Sequence, residues 1–329
     1  MIWNCQKKFD PENDIPDLSG KVIFVTGGNA GLGKAAILQF AKHQPAHIYL
    51  SGRDATKGAT AVEEIKAAIP DAAITFIEAD LASLSSVSRA AKEFMSKSSR
   101  LDILMCNAGV MALSPALSED HYEIQFGTNH LGHALLIKLL LPTLLHTASS
   151  PPSSSSPTSP TSDVRIIFLT SVGFALTPPG GILFPDLHTS QSNLSGPMGP
   201  WYRYGQSKLA NILYASELAL RYPTLTTVSI HPGVVNTQLI SRIQRESLIE
   251  RIHGWFLQMC ASTDVEAGAY NQVWAATTSG ENLVNGEFYE PVGRVGRHTG
   301  YSRSEKLRGE LWEWTQKELE GWGDSGGDC

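Results

Sequence analysis

The sequence predicts an α/β fold with a doubly wound parallel sheet and helices on both of its faces. Two observations support this fold class. Short apolar runs, typical of strands buried on both faces, alternate with helical stretches along most of the 329 residues. The first of these runs, Val22–Thr26, opens into a glycine-rich turn and then into a helix, as expected at the start of such a sheet.

The predicted elements alternate regularly in the first third of the chain. Strands are predicted at 22–26, 47–51, 74–78 and 101–106, and helices at 34–42, 57–68 and 84–97. Because each strand is followed by a helix, neighbouring strands run parallel in one sheet. A long apolar helix is then predicted to end at Pro142. Further strands are predicted at 164–169, 226–230 and 286–289, with helices after Tyr204 and at 264–278.

Composition excludes several classes of protein. With 42% hydrophobic and 18% charged residues, the chain can bury a sizeable core. The net charge is −6 and the basic residues are scattered, which excludes a nucleic-acid-binding surface built on a basic patch. The four cysteines lie far apart without paired spacing, so we expect reduced thiols and neither a disulfide framework nor a zinc site.

The sequence predicts no integral membrane segment. The first residues lack the apolar run of a signal peptide, and no stretch reaches the ~20 apolar residues needed to cross a bilayer. The longest candidate, 134–145, contains Lys138 and is interpreted as a core helix. We therefore expect a soluble, cytoplasmic protein.

One domain is predicted at 18–310, with a polar lead-in at 1–17 and a tail at 311–329. The Ser/Pro-rich segment 147–163 has the composition of a disordered insertion. The segment 240–262 carries apolar residues at helical spacing. We interpret it first as a substrate lid, with core packing or a membrane-surface helix as alternatives.

Deleting residues 149–161 should change the melting temperature little. The deleted residues are too polar to pack, and doubling the length of a flexible loop changes its closure free energy by only ~0.6 kcal/mol. Thermal unfolding of the full-length and shortened proteins checks this expectation. A large drop in melting temperature would show that the segment is docked on the domain.

Tyr204 and Lys208 form the most informative pair of residues. Four residues apart on a predicted helix, they share one face, one turn apart. A neighbouring ammonium favours the phenolate form of a tyrosine, so the pair could exchange a proton near neutral pH. Alone, such a pair is more often an ordinary feature of a helix surface. It indicates a catalytic site only if the protein also binds a hydride carrier.

The glycine turn and the end of the second strand predict a binding site for a hydride-carrying dinucleotide. Gly27, Gly31 and Gly33 lie between a buried strand and a helix, although their G-x3-G-x-G spacing differs from the common G-x-G-x-x-G fingerprint. Arg53, which follows the second strand, suits the 2′-phosphate of NADP. Asp54 beside it would favour NAD if it pointed into the same pocket.

Two other polar sets have simpler interpretations. Ser171 follows the strand at 164–169, in the ligand crevice, but the first glycine of a hydrolase G-x-S-x-G elbow is missing. A serine hydrolase therefore stays a weaker alternative. His130 and His133 lack a third metal ligand within sequence reach and are interpreted as ordinary helix residues.

Taken together, these motifs resemble the short-chain dehydrogenase/reductase family, whose fold is a Rossmann-type domain. The resemblance covers about 18–290 and is strongest to NADP-preferring retinol-dehydrogenase-like members and to tailoring reductases of fungal polyketide and terpenoid pathways. The matching motifs, in the order of the family, are Thr26 to Gly33, Asp80-Leu81, Asn107-Ala-Gly109, Asn129, Ser171, Tyr204-x3-Lys208 and Pro232-Gly233.

The resemblance implies roles for these residues. Tyr204 would be the general acid/base, Lys208 would lower its pKa and hold the nicotinamide ribose, and Ser171 would bond the substrate oxygen. Asn129 would anchor a water molecule in the proton relay. The implied cofactor contacts are Gly27, Asn29, Gly31, Leu32, Gly33, Arg53, Asp80, Asn107, Gly109, Tyr204, Lys208, Val235 and Thr237.

We therefore expect an NADP(H)-dependent oxidoreductase, with NAD the less favoured cofactor. Its partner would be a small hydrophobic alcohol or its ketone or aldehyde, in secondary metabolism by the resemblance to the fungal members. A homo-oligomer is compatible with the sequence. The alternative is a non-catalytic nucleotide-binding regulator on the same fold, since fold does not determine function.

Overall fold

The computed structural model describes residues 9–150, 163–233, 235 and 264–322, and within them eight strands form one sheet. The strands are β1 Val22–Thr26, β2 His47–Gly52, β3 Ile74–Glu78, β4 Ile103–Cys106, β5 Arg165–Leu169, β6 Thr226–Ile230, β7 Phe288–Glu290 and β8 Arg294–Val295. Their order is β3-β2-β1-β4-β5-β6-β7-β8. All neighbouring strands are parallel except β7 and β8. The predicted doubly wound parallel sheet is confirmed.

Helices flank the sheet. The α-helices are α1 Pro11–Asp14, α2 Gly31–Ala41, α3 Ala55–Ala68, α4 Leu84–Lys97, α5 Ile124–Phe126, α6 Gly132–Ser149, α7 Gly199–Arg221, α8 Val265–Gly268, α9 Tyr270–Thr277 and α10 Glu305–Glu318. A π-helix, Gly127–Leu131, joins α5 to α6. Short 3-10 turns lie at Val172–Ala175, Phe184–Asp186 and Gly280–Asn282.

Two apolar cores cover the two faces of the sheet, because successive strand residues point to opposite sides. On β1, Phe24 belongs to one core, in which its ring stacks on Phe94 of α4 at 5.2 Å between centroids. The next residue, Val25, belongs to the other core, together with Ile37 of α2 and Val273 of α9. All five β1 residues are buried, which explains why the strand has four consecutive apolar residues before Thr26 rather than an alternating pattern.

The strand order places a ligand crevice beside β1. The chain builds β1, β2 and β3 outward in one direction, and then crosses back to add β4 on the other side of β1. The helices after β1 and after β4 therefore lie on opposite faces, and the carboxyl ends of these strands border an open crevice. Thr26 at the end of β1 lies opposite Ser51 of β2, and Val25 lies opposite Met105 of β4.

Helix α6 continues through Pro142 to Ser149, so the prediction that Pro142 ends this helix was wrong. A proline inside a helix costs about 3 kcal/mol, but the extra turns bury Leu144 and Ala148 in the core, which offsets that cost. Among the described residues, the helical run Ile124–Ser149 is long and apolar enough to cross a membrane. However, 61% of its most apolar window is buried inside the protein, as in a core helix.

Helix α10 packs against α7. Leu311 and Leu319 are fully buried, and the ring of Trp312 stacks on Tyr214 of α7 at 5.4 Å between centroids. The sequence-based boundary at 310 thus falls inside α10, and residues as far as Trp322 pack against the core. The predicted lid at 240–262, and all of the predicted insertion except 147–150 and 163, lie outside the described residues.

Candidate active site

A cavity of about 650 Å³ lies at the carboxyl ends of the strands and brings most of the predicted site residues together. Gly33 and Asn129 lie behind its wall, and Thr237 lies outside the described residues. The predicted residues that line the cavity are Gly27, Asn29, Gly31, Leu32, Arg53, Asp80, Asn107, Gly109, Ser171, Tyr204, Lys208 and Val235.

The glycine turn fits a dinucleotide phosphate. Helix α2 begins at Gly31 without a side-chain cap, so its first backbone N–H groups are free to bind an anion. A Cβ atom on Gly33 would lie 2.5 Å from both Asn107 Nδ2 and Gly27 O, so this close approach requires glycine. Asn107 donates from Nδ2 to Thr26 O at 2.8 Å, while its buried Oδ1 has no partner among the described residues. This cradle and the uncapped helix fit a nicotinamide dinucleotide.

The side chains of Arg53 and Asp54 make different contacts. The exposed guanidinium of Arg53 borders the cavity and makes no hydrogen bond or ion pair with a described residue. Asp54 caps α3 by accepting from Lys57 N at 3.0 Å, and this bond lowers the pKa of its carboxyl group. Asp54 lines the cavity as well, but its carboxylate is held by the N-terminus of its own helix. Lys57 also lines the cavity, as a cationic residue in addition to Arg53 and Lys208, and sequence reasoning missed it.

Tyr204 and Ser171 form a hydrogen-bonded pair of hydroxyl groups in the cavity. Ser171 Oγ also accepts from Gly173 N at 3.1 Å, which fixes its position after β5. The Tyr204 ring packs on Gly173, where an added Cβ would lie 3.0 Å from Tyr204 Cε1. Burial raises the pKa of Tyr204 to about 12, and the bond to Ser171 opposes that rise.

Lys208 lies beside Tyr204 and Ser171, but its ammonium group donates its hydrogen bond to a backbone carbonyl. Its ammonium donates to Leu169 O at 2.9 Å and lies 5.8 Å from the centroid of the Tyr204 ring. Burial lowers the pKa of Lys208 to about 8. Burial is the largest effect on the pKa of Tyr204, and the expectation that Lys208 lowers this pKa stays a prediction.

Asn129 lies in the π-helix, a type of distortion that often occurs at functional sites. Its Oδ1 accepts from Val110 N at 2.8 Å, and its Nδ2 donates to Val110 O and to Ser207 Oγ, both at 2.9 Å. The side chain therefore holds the segment after β4 in place. The predicted role in a proton relay stays a prediction.

The two histidines of this region hold elements together. His130 Nε2 lies 2.9 Å from the Thr315 hydroxyl of α10, and His133 Nε2 lies 2.8 Å from the Thr26 hydroxyl of β1. Burial lowers the pKa of His130 to about 3 and that of His133 to about 4, so both are neutral. Among the described residues, no group of three His, Cys, Asp or Glu side chains could hold a metal ion.

One end of the cavity is apolar. Sequence reasoning missed this wall because its residues come from four separate segments and share no sequence pattern. His231 at the end of β6 also lines the cavity, and burial lowers its pKa to about 4. The apolar lining residues near Tyr204 are Met111, Leu113, Ile124, Leu176 and Trp201.

Comparison with known proteins gives the family. A sequence model of the short chain dehydrogenase family matches residues 21–151. The short-chain dehydrogenase/reductase drtF of Aspergillus calidoustus is 33% identical over 93% of this chain and 95% of its own length. The chain belongs to the short-chain dehydrogenase/reductase family. Human retinol dehydrogenase 11 is 32% identical to this family member, over 90% of this chain and 85% of its own length.

A solved structure shows the same fold. The crystal structure of an uncharacterized protein from Mycobacterium Paratuberculosis superposes with a TM-score of 0.70 at 26% sequence identity. The similarity covers 94% of this short-chain dehydrogenase/reductase and 97% of the other chain. The resemblance predicted from the motifs, to retinol-dehydrogenase-like and fungal members, is confirmed.

As a member of this family, the protein is an oxidoreductase that uses a nicotinamide dinucleotide. The bound cofactor would supply or accept a hydride. The Tyr204 and Ser171 hydroxyls can then hold a substrate oxygen and transfer a proton to it, and the glycine turn can bind the cofactor phosphates.

Proposed function

We propose that this protein is an NADP(H)-dependent oxidoreductase that interconverts a hydrophobic alcohol and its ketone or aldehyde. One observation carries the proposal. The hydrogen-bonded hydroxyls of Tyr204 and Ser171 share one cavity with an uncapped helix N-terminus on one side and an apolar wall on the other. An apolar pocket with a few convergent polar groups suits a hydrophobic substrate with one reacting oxygen.

The proposed roles follow from these positions. In reduction, Ser171 donates a hydrogen bond to the carbonyl oxygen, and Tyr204 gives its proton to the same oxygen as negative charge develops there. The ammonium of Lys208 stabilises the phenolate that Tyr204 then becomes. In oxidation, Tyr204 takes the hydroxyl proton of the alcohol while the hydride leaves the carbon atom.

The preference for NADP is supported by Arg53, whose guanidinium lies free at the cavity edge while the Asp54 carboxylate caps α3. Action in secondary metabolism, in the cytoplasm, completes the proposal. The resemblance of the sequence motifs to fungal tailoring reductases supports the part on secondary metabolism. Comparing metabolites of cells with and without the gene would test this part, and an unchanged metabolite profile would contradict it.

The test of the activity is an assay with the purified protein. Apolar ketones and aldehydes of increasing size are offered with NADPH or NADH, and loss of nicotinamide absorbance is followed. Alcohols with NADP test the reverse direction. We expect turnover of apolar substrates, with NADPH preferred. Cofactor binding without turnover of any substrate in either direction would favour the nucleotide-binding regulator instead.

We expect opposite pH dependences for the two directions. Tyr204 needs its proton for reduction, and burial raises its pKa to about 12. The kcat/KM for reduction should therefore stay flat up to about pH 8 and fall above it, where the Lys208 ammonium loses its proton. Oxidation needs the phenolate, so its kcat/KM should rise with pH over the same range. Ser171→Ala removes a bond that lowers the pKa of Tyr204, and should shift the oxidation profile to higher pH. An oxidation rate independent of pH would contradict this assignment.

A further inference from the structure

Arg203, the residue before Tyr204 on α7, has a guanidinium that is almost completely buried and lies outside the cavity. Its Nη2 donates to Leu113 O at 2.9 Å. Its Nη1 donates to Leu194 O at 3.2 Å and is 3.4 Å from Gln191 O. A buried arginine is rare unless its charge is paired, so a partner is expected nearby.

Glu123 is that partner. Its Oε1 lies 3.7 Å from Arg203 Nε, and both side chains are 1% exposed. Its Oε2 accepts from Phe126 N at 2.7 Å at the start of α5. Burial raises the pKa of Glu123 to about 7, and the guanidinium of Arg203 opposes that rise. Pairing with Glu123 explains how the charge of Arg203 can be buried. It does not explain why Arg203 also donates to three backbone carbonyl groups.

Leu113, whose carbonyl accepts from Arg203, is the last residue of a segment that forms one wall of the cavity. Gly109, Val110, Met111 and Leu113 all line it. Asn129 fixes one end of this segment through both backbone groups of Val110, and Arg203 fixes the other end at Leu113. Between the two, Ala112 has a φ of 50°, which is unfavourable for a residue with a side chain. Such a conformation persists only where the surroundings enforce it.

We infer that Arg203 is a positioning residue for the substrate, which fastens the cavity wall Val110–Leu113 to the helix that carries Tyr204. Arg203 does not touch the reacting atoms. It sets the distance between the apolar wall, against which the substrate body lies, and the hydroxyl that exchanges the proton. This inference rests on the proposed function, because it assigns the wall to an apolar substrate.

The test uses three variants and a control. Glu123→Gln removes the negative charge and keeps an oxygen that can accept from Phe126 N. Arg203→Met alone leaves Glu123 buried without its cation and is expected to fold poorly. The double variant Arg203→Met/Glu123→Gln removes both charges and frees Leu113 O. Arg221→Met, on the same helix, is the matched control, because Arg221 pairs with Glu217 at the surface.

For the bulkiest ketone that the wild type reduces, the double variant should lose about tenfold in kcat/KM, mainly through a higher KM. For the smallest ketone, and for the dissociation constant of NADPH, its values should stay within about twofold of wild type. Glu123→Gln should lose stability, because it leaves Arg203 without its anion, but it keeps the bond to Leu113 O. Both Glu123→Gln and Arg221→Met should therefore keep the wild-type KM for both ketones. A double variant with wild-type KM for the bulky ketone would show that Arg203 only neutralises Glu123, and would overturn the inference.

Hydrogen exchange separates this inference from the proposed function. Backbone amides in peptides covering residues 110–114 should exchange faster in the double variant than in Glu123→Gln, because the wall is released. Unchanged exchange there would overturn the inference even if ketones are reduced. A wild type that turns over no apolar ketone, aldehyde or alcohol would overturn the proposed function, while the exchange measurement would still decide whether Arg203 holds the wall.

Discussion

Tyr204→Phe should lower kcat by about 10²–10⁴-fold or more, the usual contribution of a positioned general acid. The substitution keeps the buried ring that packs on Gly173 and deletes the hydroxyl that bonds Ser171. Cofactor binding should therefore change little. Turnover of an apolar ketone with NADPH, and the dissociation constant of NADPH measured by titration, check both parts of the expectation.

Tyr202→Phe is the matched control for this substitution. Tyr202 lies on the same helix, two residues away, and does not line the cavity. Its variant should keep wild-type kcat. Near-normal turnover by Tyr204→Phe would show that another group exchanges the proton, and the acid/base assignment would be wrong. A parallel loss of cofactor binding would mean that the variant has disturbed the fold, and the lowered rate would then say nothing about proton transfer.

Much of the sheet was predictable from the sequence because its central strands β1, β4 and β5 are buried on both faces. The apolar run at 22–26 coincides with β1, and the predicted strand at 74–78 coincides with β3. Lys21 and Gly27 bound the first of these runs, so its ends are visible in the sequence. Parallel order then brings Gly27, Asn107 and Ser171 to one edge, since each of them follows the carboxyl end of a strand.

Other features depend on contacts that no local pattern encodes. The pKa of Tyr204 is set by burial, which depends on the packing of α7 against Gly173. The bond from Arg203 to Leu113 joins residues 90 positions apart. The continuation of α6 through Pro142 is favoured by the core around Leu144, so tertiary packing overrides the local preference of proline.

Arg53→Ala should raise the dissociation constant of NADP by about tenfold to a few hundredfold and leave that of NAD nearly unchanged. A guanidinium can pair bidentately with a 2′-phosphate, which NAD lacks. Charge-assisted hydrogen bonds are worth roughly 1.5–3 kcal/mol each, and about 1.4 kcal/mol corresponds to tenfold in affinity. The exposure of Arg53 to solvent screens this gain, so one or two such bonds give the stated range.

Asp54 lines the same cavity, but its carboxylate accepts from Lys57 N in the cap of α3 and lies 3.3 Å from Lys57 Nζ, so NADP stays the expected cofactor. Because Lys57 also lines the cavity, Arg53→Ala should keep a residual preference for NADP, which Arg53→Ala/Lys57→Ala should abolish. Arg89→Ala, an exposed arginine on α4 outside the cavity, should change neither constant. Equal losses for NADP and NAD in Arg53→Ala would show that Arg53 supports the cofactor in general and does not recognise the 2′-phosphate.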